Sequence, residues 1–117
     1  SNPEGADLQL AGDQPVWLKV LDSIAEWSAQ HVSPTVGAVV GATTPAVLET
    51  ALWRLPQSLF LAPGVGAQGA SPSAFRTGAL ATRRVVLSSS RSIAAEGPGA
   101  DALRTAARAH LGLDQVA

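Results

Sequence analysis

The sequence predicts an α/β protein built on a parallel sheet, and three observations carry that expectation. Apolar runs at 36–40, 59–62 and 85–88 read as strands, segments with helical periodicity lie between and around them, and a glycine- or serine-rich loop follows each strand. Strand, helix, strand, short segment, strand, helix is the βα alternation of parallel strands joined by crossovers. Two architectures use it, the doubly wound sheet and the (β/α)8 barrel, and both place ligand loops at the carboxyl ends of the strands. The loops GATTP, PGVGAQGA and SSSRSI lie at those ends.

Taken in order, SNPEGADLQLAGDQP opens with a turn at Asn2-Pro3, offers a short amphipathic stretch around Leu8 and Leu10, and breaks between Gly12 and Pro15. From Val16 to about Gln30, Trp17, Val20, Leu21, Ile24 and Trp27 recur at three and four, which predicts a helix that Ser33-Pro34 ends. The run at 36–40 contains no polar residue, as in a strand buried on both faces. Thr44 before Pro45 is an N-cap followed by proline at the first helical position, so PAVLETALWRL is the next helix, ending before Pro56. SLFLAPG is a second strand running into the glycine loop; after SAFRTGAL, RRVVLSSS is a third. The Ala-rich DALRTAARAHLGL closes as a helix.

With 117 residues there is room for one ordinary domain and one core. The composition, 46% hydrophobic and 15% charged, is that of a folded protein. A net charge of −1 supplies no basic field for nucleic acid or an anionic membrane, which points to a small-molecule or protein partner. The absence of Cys excludes disulfides and thiolate metal sites, and two isolated His residues make a poor metal site. No apolar run approaches the roughly 18 residues of a membrane span, and the first residues lack the basic and apolar regions of a signal peptide. A cytoplasmic location is expected. The sequence holds no Met at all, so the expectation is that it begins inside a longer protein.

Residues 64–69, GVGAQG, satisfy G-x-G-x-x-G. A dinucleotide fingerprint also needs a long helix opening at the third glycine and an acid about 20 residues on to hold the ribose. Neither is met: ASPSAFRTGAL follows, with Pro72 and Gly78 inside ten residues, and the downstream region is LSSSR. A P-loop fails too, because Ala70-Ser71 stands where Lys-Ser/Thr is required. A mononucleotide phosphate stays open. In barrels the last two βα loops commonly build a phosphate site. Here Gly64, Gly66 and Gly69 would let the backbone approach an anion, Gln68 would donate an amide N–H, and Arg91 would pair with phosphate oxygens. The plainer alternative is a tight surface loop beside a solvated arginine.

SNPEG, VGAVVGATTP, LFLAPGVGAQGA and SSSRSI, in this order, resemble the C-terminal part of the orotidine 5′-phosphate decarboxylase family, especially its bacterial branch with a GAT-x-P segment and a PG-[VI]-GAQG loop. The resemblance implies the C-terminal portion of a (β/α)8 barrel of about 250 residues, with residues 1–117 belonging to a single barrel domain. The strands near 36–40, 59–62 and 85–88 would be its sixth, seventh and eighth, and the N-terminal part would be absent. It implies that Ser1 contacts the pyrimidine edge, that Pro63 and the loop of Gly64, Val65, Gly66, Gln68 and Gly69 close on the phosphate, with Gln68 bridging towards it, and that Arg91 grips it. Ser90 stands where many relatives have Gly supplying a backbone N–H, and the ASPSAF tip departs from the commoner glycine-rich one. The family's chemistry, a lysine ammonium among carboxylates that replaces CO2 with a proton at C6 without metal or cofactor, lies in an Asp-x-Lys-x-x-Asp motif. No catalytic residue of that motif is expected in this chain. The implied ligands are orotidine 5′-phosphate and UMP, and the implied assembly of the complete enzyme is a homodimer.

Lys19 and Asp22 give K-x-x-D, but Trp17 holds the place of the leading Asp, so they read as a surface pair three apart on a helix. His31 and His110 read as partners of helix C-terminal dipoles. Trp17, Trp27 and Trp53 read as packing residues, Ser88, Ser89 and Ser90 as strand-end hydrogen-bonding groups, and Thr43 and Thr44 as loop and cap residues. Two rivals remain: another phosphate-binding barrel enzyme, and a non-catalytic ligand-binding or structural module.

Overall fold

The computed structural model describes residues 5–30, 36–66, 68–76 and 78–111. Ser1, the Asn2-Pro3 turn, His31 and Ser33-Pro34 lie outside them. The order is α1 (Gly5–Gln9), α2 (Val16–Ala29), β1 (Ala38–Val39), α3 (Pro45–Arg54), β2 (Phe60–Pro63), two 3-10 turns (Pro72–Phe75 and Gly78–Leu80), β3 (Val85–Ser88), α4 (Arg91–Ala94) and α5 (Ala100–Leu111). The strands form one parallel sheet in the order β1-β2-β3.

The core lies on one side of that sheet. Leu21 and Ile24 of α2 and Leu48, Ala51 and Leu52 of α3 recur at helical spacing and pack with Leu55 and with Phe60 and Ala62 of β2. Phe75 and Leu80, from the 3-10 turns, complete it. Burying each large apolar side chain contributes about 1.5–3 kcal/mol. Ser58 is buried and satisfied, its Oγ donating to the Val36 carbonyl at 3.0 Å. Arg84, just before β3, donates from Nη1 to the Leu55 carbonyl at 2.9 Å and from Nη2 to the Leu52 carbonyl at 3.2 Å. One guanidinium therefore bridges two carbonyls at the end of α3, that of Leu55 also accepting the Ser58 N–H at 3.2 Å, and ties that helix to the third strand.

The other side of the sheet is bare. Val39, Leu61 and Val86 stand in one row across the three strands, 68%, 41% and 52% exposed. This corrects the expectation of a first strand buried on both faces: among the described residues helices cover one face only. It also bears on the choice between the two architectures. A doubly wound sheet carries helices on both sides, whereas a barrel keeps them outside and fills its inner face with layers of strand side chains. Sequential parallel strands with helices on one face and an apolar row on the other fit an arc of an α/β barrel.

Three smaller expectations change. Thr44 is the N-cap of α3, but its hydroxyl donates to the Gly41 carbonyl at 3.0 Å instead of capping the first turn. Asp22 pairs with Nη1 of Arg54 and accepts from Gln14 Nε2 at 3.1 Å, so the partner of Asp22 comes from α3 and not from Lys19. Trp17 packs on the core as expected, but Trp27 and Trp53 are 51% and 81% exposed, because they lie off the buried stripes of α2 and α3.

Candidate functional site

The site is built where β2 and β3 end. Pro63 closes β2 opposite Ser88, and its carbonyl accepts the Ala42 N–H at 2.8 Å, which ties the GATTP loop to the glycine loop. Proline offers no N–H of its own to continue the ladder. The chain then reverses. Val65 is buried and bridges Ala70, the Gly66 N–H donates to the Ala70 carbonyl at 2.9 Å, and the Gly69 N–H donates back to the Gly66 carbonyl at 2.9 Å. Gly64, Gly66 and Gly69 have φ of +102°, +78° and +93°, values that side chains bearing a Cβ avoid. The glycines are thus required by a turn. The Gln68 side chain folds back over the loop, its Oε1 2.8 Å from where a Cβ on Gly64 would stand.

The second predicted half of the site docks on the first. Ser89 Oγ and Ser92 Oγ lie 3.3 and 3.4 Å from the Val65 carbonyl oxygen and 2.9 Å from each other. Both hydroxyls reach the same carbonyl, so either one can turn to another acceptor while the other keeps the Val65 carbonyl paired. Between these serines, exposed Ser90 is the N-cap of α4 and exposed Arg91 its first residue. Ser90 makes no side-chain cap, which leaves the capping position without an internal acceptor. Pro63, Gly64, Val65, Gly66, Gln68, Gly69, Ser90 and Arg91 therefore lie on two loops joined at one carbonyl. Ser1 lies outside the described residues.

Two features were missed by sequence reasoning. Ser92 was visible only as part of a serine-rich run, although its spacing of three from Ser89 puts both hydroxyls near one atom. His110 read as a helix-end residue; it is in the last turn of α5, but its ring abuts Gly66, with Cε1 2.9 Å from where a Cβ would stand. Its Nδ1 is buried with no hydrogen-bond partner among the described residues. A cleft of about 320 Å³ lined by Leu61, Val65, Leu87, Ser88, Ser89, Ile93 and His110 opens there. Arg76 Nη2 donates to the Ala109 carbonyl at 3.4 Å, so the loop tip also reaches the end of α5.

No family model matches the chain. Full-length sequences do. The chain is 36% identical over 118 residues to orotidine 5′-phosphate decarboxylase of Herpetosiphon aurantiacus, covering 95% of this chain and 42% of that protein. To the enzyme of the same name from Roseiflexus castenholzii it is 40% identical over 117 residues, covering 92% and 42%. The chain belongs to the orotidine 5′-phosphate decarboxylase family. It spans about two fifths of the length of these relatives. Among solved structures, Leishmania donovani UMP synthase superposes with a TM-score of 0.69 at 30% identity, over 99% of this chain and 26% of that one. The family resemblance carried by the GAT and PGVGAQG segments is thus borne out, and with it the reading of the fold as part of a (β/α)8 barrel. Among the described residues, no group of three or more His, Asp or Glu side chains could hold a metal ion, and no helix is long and apolar enough to cross a membrane.

Proposed function

We propose that this chain forms the phosphate-gripping part of the substrate site of an orotidine 5′-phosphate decarboxylase, the complete protein converting orotidine 5′-phosphate to UMP and CO2. The observation that carries the reading is the junction at the Val65 carbonyl, where Ser89 and Ser92 fasten the glycine turn to the loop bearing Arg91. In this reading residues 1–117 are the C-terminal part of one barrel domain, supplying its sixth, seventh and eighth strands. The row of Val39, Leu61 and Val86 would face the missing strands.

Gln68 and Arg91 hold the phosphate, with backbone N–H groups of 64–69 and of Ser90 and Arg91 around it, Pro63 and Val65 shape the loop, and Ser1 contacts the pyrimidine. No group in this part removes CO2 or delivers the proton; an Asp-x-Lys-x-x-Asp motif elsewhere in the complete protein does, and no metal or cofactor takes part. Holding the phosphate dianion far from C6 converts remote binding energy into loop closure and orientation of the ring, and the preorganised charges of the catalytic part act on that oriented ring. The complete enzyme is a cytoplasmic homodimer in this reading.

Turnover measured with the complete protein and with this chain alone tests it: the first should decarboxylate orotidine 5′-phosphate and the second should not. A thermal-shift series of sugar phosphates and nucleotides separates the rival barrel enzyme. Orotidine 5′-phosphate and UMP should stabilise the complete protein most, and a larger shift with a sugar phosphate would overturn the assignment.

A further inference from the structure

We propose that His110 is a positioning residue of the phosphate loop: the wall on which the Gly66 turn seats, and the acceptor to which the Ser92 hydroxyl turns when the loop takes up its ligand. The inference rests on the phosphate-site reading above. Three observations converge on it. The imidazole Cε1 stands 2.9 Å, and Ser92 Oγ 2.5 Å, from where a Cβ of Gly66 would lie, so ring, hydroxyl and turn meet at one point. Nδ1, the ring atom next to Cε1, is buried without a partner among the described residues, a state that costs free energy until a partner arrives. Ser89 and Ser92 both reach the Val65 carbonyl and lie 2.9 Å from each other, so Ser92 can turn away while Ser89 keeps that carbonyl paired.

With the ring proton on Nε2, turning Ser92 Oγ from the Val65 carbonyl to Nδ1 would satisfy the imidazole and leave Ser89 alone on Val65. No bond is made or broken beyond hydrogen bonds, and no proton changes owner. The rearrangement would fix the β3–α4 turn, and with it Ser90 and Arg91, against the glycine loop. His110 would therefore act on the phosphate through Ser92 and not by touching it.

The test uses the complete enzyme and the ratio of its affinities for UMP and uridine, which isolates the phosphate contribution. His110→Phe keeps a ring against Gly66 but removes the acceptor, and His110→Asn returns an acceptor near the Nδ1 position. The expected result is a roughly tenfold fall in the UMP-to-uridine ratio for His110→Phe and recovery to within about threefold for His110→Asn, as for loss and return of one hydrogen bond. In a double-mutant cycle, Ser92→Ala should add little once His110 is Phe. An unchanged ratio in His110→Phe, or equal losses for UMP and uridine, would overturn the positioning role and leave a packing role only. If the unaltered enzyme itself binds UMP no tighter than uridine, the phosphate-site reading fails first, and that outcome is read before any variant is made.

Discussion

Replacing Gly66 by Ala tests the geometry of the loop more sharply than removing any of its polar groups. At φ +78° an L residue costs about 1–2 kcal/mol. The new Cβ would also stand 2.5 Å from Ser92 Oγ and 2.9 Å from His110 Cε1. Ser92 must move and its contact with the Val65 carbonyl is lost, adding about 1 kcal/mol. The sum is about 2–3 kcal/mol, on the order of 30- to 150-fold. Gly69→Ala is the internal control: its φ of +93° carries the same backbone penalty, but nothing lies within 4 Å of the new Cβ. That substitution should cost only about 1–2 kcal/mol. The measurements are calorimetric melting and titration with UMP on the complete enzyme. The cost appears as a lower Tm if the loop holds this shape without ligand, and as weaker binding if it relaxes until ligand arrives. If Gly66→Ala costs no more than Gly69→Ala in both measurements taken together, the junction of loop, Ser92 and His110 is wrong.

Arg84→Ala should lower stability in urea unfolding by about 2 kcal/mol, because two carbonyls at the end of α3 lose a charged donor. Arg84→Lys should recover less than half of that, since an ammonium cannot span both oxygens as a planar fork does. Gln68→Ala should weaken UMP binding several-fold and leave uridine binding unchanged; equal effects on both ligands would remove Gln68 from the phosphate site. Leu61→Asp should be nearly neutral for unfolding of this chain alone, where Leu61 is on the bare face, and should cost the complete enzyme several kcal/mol if the row it belongs to is a barrel interior. Equal effects in the two contexts would mean that no strands cover that face.

The elements were legible in the sequence because each carried its own local signal. Leu21, Ile24, Leu48 and Leu52 advertise the buried stripes of α2 and α3 by spacing, and Pro45 and Pro56 bound the second of them. The faces of the strands were not legible, for a physical reason. VGAVV and LFLA are apolar throughout, so alternation cannot say which side meets helices and which does not. Only the register that aligns Val39, Leu61 and Val86 separates them. The exposed Trp53 was misread for a related reason: residue type favours packing, but position on α3 decides what is available to pack against.

The site shows the same division between local and tertiary information. Three glycines at 64, 66 and 69 could be read as demands for positive φ, and the demand is met at each of them. The missing helix after Gly69 was enough to reject a dinucleotide loop, because that failure is local too. His110 lies 44 positions from Gly66 in the sequence, and a helix-end histidine has a sufficient local explanation in the dipole of its own helix. Nothing in that explanation predicts an unpartnered Nδ1 pressed against a glycine turn. A residue whose local role is already accounted for hides its tertiary role, and the room that Gly66 leaves for Ser92 and His110 is what exposes it.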